Sequence, residues 1–591
     1  MQRAVATVSL PEGPVLAFIE DEAGAGKTEA ALILAQRMLL AGKGRGVFFA
    51  LPTMATADAM FVRASRVIGR MLDRPTLTLA HGRAGLSVPF RDLQNGVTDS
   101  DDATCTDWLA DSRRRALLAD VGVGTIDQAS LAVLRARFSA LRLWGLSSKI
   151  LVVDEAHEVS GDGYMSVLLE RLLHAHAAQG GSAILLTATL PLEARARLTR
   201  AFSDGAGRNW GAESDASYPA LTIAGSGPPR TVPATPSPKG AVTVERLATT
   251  EMAADLLAES SRAGAACVWV RNSVDDAIAA VGSLQARGID ASLLHARFAL
   301  CDRKRIEAGV LVTFGRYGAG RAGKVLVAAQ VVESSLDLDF DVMVSDLAPM
   351  AALIQRAGRL WRHMTEGPSR SRPVPGPVLF VLSPDPAAVL DARWLRDVLG
   401  GGAWVYGLSE QWRTADLLFR RGRIDASSDL RSLIEAVHGS EGAPVPHVLE
   451  SAERERIGEI YARRSRAYGN IVDFGQGYRD GARGAEDTIY PTRLGRPTRT
   501  LALARMVDGV VKPWAQGDAT SAETWQLSEV AADKLRLDRL SLPDQEIAPI
   551  VEATRDWPAW RRREVTLCPV ADDGAICEGL RYSPDSGLAW V

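Results

Sequence analysis

The 591-residue chain holds only five cysteines, scattered at Cys105, Cys267, Cys301, Cys568 and Cys577. None forms a C-x-x-C pair, so no zinc site is expected and the thiols are read as reduced. Histidine is scarce too, eight in all. There is no signal peptide and no apolar run of about 18 residues, so no membrane partner is expected and the chain reads as a soluble cytoplasmic protein. Net charge is small, −3. Bulk charge therefore does not advertise a nucleic-acid partner, although a local groove can still hold a strand. What cations there are are almost all arginine, which suits phosphate contacts. The 47% hydrophobic content is ample for several cores, and the length suggests three or four structural units.

The informative residues begin near the start. Val15-Leu16-Ala17-Phe18-Ile19 reads as a strand, Gly24-Ala25-Gly26-Lys27-Thr28 as a glycine loop, and Glu29 to Ala35 as a helix. Strand, loop and helix in that order form the context of a phosphate-binding loop. Backbone N–H groups and the helix N-terminus hold phosphate, Lys27 reaches the β- and γ-phosphates, and Thr28 ligates Mg²⁺. The pattern asks for glycine at position 21, where this chain has aspartate. Glu20, Asp21 and Glu22 place three carboxylates beside a site for a polyanion, and the sequence does not say where they point.

A second apolar run, Ile150 to Val153, ends in Asp154-Glu155-Ala156-His157. An Asp at the end of a buried parallel strand can hold Mg²⁺, and the adjacent Glu can orient and deprotonate water. A third run, Ala183 to Leu186, ends in Thr187-Ala188-Thr189, hydroxyls able to link the nucleotide site to whatever lies across the cleft. A fourth, Lys324 to Gln330, precedes Glu333-Ser334-Ser335-Leu336-Asp337. Gln355-Arg356-Ala357-Gly358-Arg359 follows, two arginines placed to reach a γ-phosphate from a second domain.

These motifs, in this order, resemble superfamily 2 helicases. The likeness narrows to the CRISPR-associated type I helicase–nuclease recruited by Cascade, in its subtype I-E branch. It is carried by residues 20–32, by Phe49 to Met60, by Ala80-His81-Gly82, by Gly124-Thr125-Ile126-Asp127-Gln128, by Leu294 to Phe298 and by Gln330 to Asp341. The resemblance implies an α/β fold of two tandem RecA-like parallel-sheet domains plus a C-terminal accessory domain, with ATP and Mg²⁺ as cofactors. It places Gln2, Gly24, Ala25, Gly26, Lys27, Thr28, Glu29 and Asp337 on the nucleotide, and Thr28 and Asp154 on the metal. Lys27, Asp154, Glu155, Gln355, Arg356 and Arg359 become catalytic. Thr53, His81, Thr125, Gln128, Asn272, His295 and Arg297 become nucleic-acid contacts, and His157, Thr187 and Thr189 couple the sites. The implied activity is ATP-driven 3′ to 5′ movement on the single-stranded DNA displaced in Cascade. The family usually has a small residue at Asp21, Thr or Met at Ala23, and Thr at Ala329. It also usually carries an N-terminal HD nuclease domain. Here no His is followed by Asp, so a separate HD nuclease is expected to do the cutting. Two rival readings remain at this point, an RNA helicase of the same superfamily and a fragment that binds DNA or Cascade without turnover.

For organisation, residues 1–205 are read as the first domain and 206–241 as a linker rich in Gly, Pro and Ser. Residues 242–385 are read as the second domain, 386–444 as a helical linker and 445–591 as the accessory domain. Residues 366–377 read as an exposed loop. Arg113-Arg114-Arg115, Arg420-Arg421 and Arg561-Arg562-Arg563 read as solvated surface, and the C-terminal tryptophans as core.

Overall fold

The computed structural model describes every residue except 23, 95–103, 106–108, 110–114, 212–213, 234–237, 335, 365–371, 440–441, 475–489 and 519. Ala23, Arg113, Arg114, Ser335 and the first part of the 366–377 loop therefore lie outside the described residues. The chain folds as two units, each discontinuous in sequence: Met1–Ser237 with Asp425–Leu494, and Pro238–Ile424 with Gly495–Val591.

In the first unit the described strands are β1 (Leu16–Glu20), β2 (Gly46–Leu51), β3 (Leu77–Ala80), β4 (Val121–Thr125), β5 (Lys149–Val153), β6 (Ala183–Thr187), β7 (Ala220–Ile223) and β8 (Arg230–Thr231). They run side by side as β3-β4-β2-β5-β6-β1-β7-β8. Pairing is parallel from β3 to β1, and β7 and β8 are antiparallel. Both faces of the sheet are covered. Ala17, Ile19, Val47, Phe49, Val152 and Ile184 face one core, and Leu16, Phe18, Phe48, Leu151, Val153 and Leu185 face the other. That is why the strands read as unbroken apolar runs rather than alternating ones.

The expected linker 206–241 is corrected here. Its apolar stretch Ala220-Leu221-Thr222-Ile223 pairs antiparallel with β1 and completes the sheet edge. The expected helical linker and accessory domain are redrawn as well. Residues from Asp425 to Leu494 belong to the first unit. Helix Glu450–Asn470 lies on helix Gly163–Ala178, with Arg463 on Asp162 (3.1 Å) and Arg464 on Glu170 (3.3 Å).

The second unit has β9 (Val242–Leu247), β10 (Cys267–Val270), β11 (Ala291–Leu294), β12 (Val325–Ala328), β13 (Val342–Asp346), β14 (Val378–Leu382) and β15 (Arg423–Ile424), ordered β11-β12-β10-β13-β14-β9-β15. All pairings are parallel except β15 on β9. The C-terminal residues of this unit form β16 (Thr498–Val507), β17 (Val510–Pro513), β18 (Glu529–Asp533) and β19 (Val565–Pro569) around a central β16. A small antiparallel meander of β20 (Ala575–Cys577), β21 (Leu580–Ser583) and β22 (Gly587–Trp590) follows. Trp525 and Trp557 are core residues, edge-on to each other at 5.3 Å, while Trp560 is exposed. Arg561, read above as surface, is buried on Glu529 beneath the Trp557 ring. Among the described residues no helix is long and apolar enough to cross a membrane.

Candidate functional site

β5, β6 and β1 are neighbours in a parallel sheet, so the loops leaving their carboxyl ends meet at one edge, where open α/β sheets bind ligands. The loop after β1 carries Gly24 (φ 90°) and Gly26 (φ 82°), angles that favour glycine. A Cβ on Gly26 would also collide with the Gln2 amide. That amide donates to the carbonyls of Gly26 (3.2 Å) and Ala25 (3.5 Å), which seats Gln2 on the loop. Lys27 is buried and donates from Nζ to the carbonyls of Asp21 (2.9 Å) and Glu22 (3.0 Å). Thr28 follows half-buried, and Glu29 is exposed, 3.6 Å from Arg63.

The acidic run before the loop now has a physical account. Glu20 is buried, and its two oxygens accept from Arg195 (2.7 Å) and from Arg431. Asp21 is buried as well. Its Oδ1 accepts the Glu22 N–H (2.9 Å), and burial pushes its pKa up. Two of the three acids are thus neutralised by ion pairs or biased toward the protonated form, which removes most of the conflict with a polyanion.

At the end of β5, burial and the neighbouring Glu155 push the Asp154 pKa up to about 7, against the pull of Lys27. A buried carboxylate in that condition is short of a cation. Among the described residues no group of three or more His, Cys, Asp or Glu side chains is gathered to hold a metal. Asp154 and Thr28 nonetheless fit Mg²⁺, which is ordinarily held by one or two protein oxygens together with substrate phosphates. Glu155 has φ 47°, a left-handed angle costly for a non-glycine residue. Its buried Oε2 has no hydrogen-bond partner and lies 3.4 Å from His157 Nδ1. His157 Nδ1 is 3.2 Å from the Thr187 hydroxyl, which accepts the Thr189 N–H (3.2 Å). Burial lowers the His157 pKa, so the ring is neutral. His157, Thr187 and Thr189 are thus linked in sequence by hydrogen bonds, with the Glu155 carboxylate against the same ring nitrogen, and the four form a polar path.

The remaining half of the edge is made by β2, β4 and β3. Thr53 caps helix Met54–Val67 through a reciprocal bond pair with Thr56. Thr125 and Gln128 are buried, the latter with an unpartnered Oε1. His81 is buried too, accepting the Arg83 N–H at Nδ1 (3.2 Å) and meeting Asp58 at Nε2 (3.3 Å). Thr53, His81, Thr125 and Gln128 are thus assembled at one edge with the nucleotide residues.

In the second unit several of the expected site residues make their contacts within the fold. Arg356 was expected on the γ-phosphate, yet it has no exposed surface. It donates to Glu333 (2.9 and 2.7 Å), Ser345 Oγ (2.8 Å), the Asp346 carbonyl (3.0 Å) and Asn272 Oδ1 (3.2 Å). Its helix, Met350–Ala357, turns that position inward, where Glu333 compensates the charge. Asn272, expected on nucleic acid, is a member of the same buried hub and also donates to the Leu347 carbonyl (2.7 Å). His295 is likewise a satisfied core residue: Nδ1 accepts the Arg297 N–H (3.1 Å), Nε2 meets the Ser586 carbonyl (3.1 Å), and Phe298 stacks on the ring at 4.3 Å. Gly587, at φ 69°, makes room for it, since a Cβ there would strike the His295 ring at 2.6 Å. Arg297 is half-buried and paired with Asp275. Asp337 is exposed, held by Arg362 (2.6 Å) and His363 (3.2 Å), and its pKa is pulled down to about 2 despite partial burial. Gln355 is half-buried, and Arg359 donates to the Glu333 carbonyl (2.7 Å).

Sequence reasoning missed three groups. Asp339 and Asp341, inside the most specific motif, are structural: Arg321 and Arg372 bind both. Arg493 bonds the Pro52 carbonyl (2.8 Å) and Asp127 (2.9 and 3.0 Å), tying two strand-end loops together. Arg195 and Arg431 neutralise Glu20. No local spacing signals any of these, because the partners are far apart in sequence.

Comparison with known proteins fits this geometry. A model described as "DEAD/DEAH box helicase" matches residues 1–198, and one described as "CRISPR-associated nuclease/helicase Cas3, C-terminal" matches residues 263–365. The CRISPR-associated endonuclease/helicase Cas3 of Thermus thermophilus is 32% identical over 590 residues, covering 91% of this chain and 59% of that protein. The crystal structure of T. fusca Cas3-ATP superimposes with a TM-score of 0.82 at 30% identity, covering all of this chain and 70% of that one. A structure titled "CRISPR RNA-guided surveillance complex, pre-nicking" contains a chain matched with a TM-score of 0.72 at 29% identity, covering 98% of this chain and 68% of that one. The chain spans about half the length of the curated relatives it matches. With two parallel-sheet units, a phosphate loop, and an Asp-Glu-Ala-His strand end joined to its hydroxyl segment, the chain belongs to the Cas3 family of superfamily 2 helicases.

Proposed function

We propose that this chain hydrolyses ATP and uses the energy to move 3′ to 5′ along single-stranded DNA, on the strand displaced by a Cascade complex. The observation that carries this reading is the polar path from Glu155 through His157 to Thr187 and Thr189, which starts beside Lys27 and Asp154 and lies on the same sheet edge as Thr53, Thr125 and Gln128. Gly24, Ala25 and Gly26 present backbone N–H groups to phosphate oxygens, and Lys27 exchanges its two loop carbonyls for them. Thr28 and Asp154 hold Mg²⁺, which supplies charge neutralisation on the phosphates. Glu155 orients water and accepts its proton. Gln355 and Arg359 are catalytic in this reading, and Arg356 holds their segment from within the second unit. A change at Glu155 alters the proton and hydrogen-bond balance at His157, and Thr187 passes it to the strand-gripping edge. The T. fusca structures with ATP and the surveillance-complex structure support ATP and Cascade as partners.

The test is ATP turnover with and without single-stranded DNA. Lys27→Ala should abolish strand-stimulated turnover, since it removes a charge-assisted phosphate contact worth about 1.5–3 kcal/mol in binding alone. Turnover equal to wild type in the variant would refute the assignment. Stronger stimulation by RNA than by DNA would make the chain an RNA-directed enzyme instead.

A further inference from the structure

We infer that Arg431, on helix Leu430–His438 and more than four hundred residues from the phosphate loop, is a positioning residue of the ATPase site. The inference rests on the ATPase reading above and adds a residue to it. Glu20 closes β1 immediately before the loop and is level with Thr187 at the end of β6. It is 1% exposed, Arg195 is 1% exposed and Arg431 is 8% exposed. The two guanidinium groups take one carboxylate oxygen each. Arg195 also donates to the Asp215 carbonyl (2.6 Å). Arg431 also donates to the Leu190 carbonyl (2.6 Å), and one turn further along its helix Glu435 accepts the Leu192 N–H (2.8 Å).

Arg431 therefore touches both sides of the machinery. On one side is the strand end whose next two carbonyls, Asp21 and Glu22, hold the Lys27 ammonium. On the other is the chain just past Thr187 and Thr189. A buried carboxylate with two cations is compensated; with one removed, negative charge and strand geometry change together at the mouth of a site for a polyanion. ATP affinity is thus made to depend on a helix outside the nucleotide motifs.

Steady-state ATP turnover by the purified full chain tests this. Arg431→Met keeps the volume and removes the charge. It should raise the KM for ATP about tenfold, the scale of one uncompensated charge at an effective protein dielectric, with kcat changed less than about twofold. Adding Glu20→Gln should return KM to within about twofold of wild type. A merely structural cluster gives the opposite split, a smaller active fraction with lower kcat at unchanged KM. An unmoved KM in Arg431→Met, or a raised one that Glu20→Gln fails to restore, overturns the inference. If Arg431→Met does not fold, Glu20→Gln alone decides. Two arginines freed of their acid should lower KM below wild type, and a KM at or above wild type overturns the inference. A wild-type chain without turnover refutes the ATPase reading itself, whereas normal wild-type turnover with these KM failures refutes only the role of Arg431.

Discussion

Arg356 and Arg359 stand three residues apart and both are buried, Arg356 with no exposed surface and Arg359 with 8%. Arg356 is the centre of a closed hub, so Arg356→Ala should leave the Glu333 carboxylate uncompensated and the Asp346 carbonyl without this donor, and cost about 3–5 kcal/mol of stability in the second unit. Arg359→Ala should instead reduce ATP turnover by about a hundredfold or more with little change in stability. Denaturant midpoints and turnover measured on the same preparations separate the two, and an unchanged midpoint for Arg356→Ala would contradict the hub. Gln2 makes a subtler prediction. An amide that pairs with adenine discriminates by about 1–3 kcal/mol, but its Nε2 already donates to the loop carbonyls. The chain should therefore favour ATP over GTP by about tenfold or less, and Gln2→Ala should erase that preference in competition assays. At this scale the placement of Lys27, Asp154 and Glu155 just past strand ends was legible because each follows an apolar run at a fixed spacing. His295 and Asn272 were not, because their burial depends on Ser586 and Asp346, remote in sequence.

Strands announced themselves as apolar runs because helices cover both sheet faces, and the carboxyl-end motifs followed from them. The Gly-, Pro- and Ser-rich segment hid β7, whose four apolar-to-neutral residues become a strand only once β1 offers an edge. Helix Glu450–Asn470 exposes so much polar surface that its partner helix could not be inferred; Arg463 and Arg464 find Asp162 and Glu170 only in three dimensions. The end of β11 carries a pH prediction. Burial lowers the His295 pKa to about 4 from the usual 6.5 of histidine. The folded state binds this proton less readily than the unfolded one, so the contribution is fully present above about pH 6.5 and is lost as pH falls through about 4, roughly 3 kcal/mol over the window. Asp154, pushed up to about 7, has the opposite sign: its buried carboxylate opposes folding, and protonation relieves that cost as pH falls through about 7. Selective ¹³C-histidine NMR separates the two effects: the His295 ring should show no protonation between pH 8 and 5.5, and a midpoint near 6.5 would contradict the burial argument.

As a whole the molecule is almost neutral in charge, so the strand grip proposed above would belong to one sheet edge rather than to net charge. No His precedes Asp anywhere in the 591 residues. The purified chain should therefore leave single-stranded DNA intact with Mn²⁺, Ni²⁺ or Co²⁺, checked on a sequencing gel. Cleavage that disappears with a point substitution in this chain would overturn that expectation.

The discontinuity of the first unit has a consequence for biosynthesis. Arg431 leaves the ribosome 411 residues after Glu20, roughly 20–80 s later at ordinary elongation rates. During that interval the nascent phosphate loop exists with its acidic entrance at most half neutralised, by Arg195 once that residue is made, and a chain released before residue 431 never acquires the second cation. The earliest segment made is among the last to be finished, so nucleotide binding reports on whether translation has run past the second unit and back.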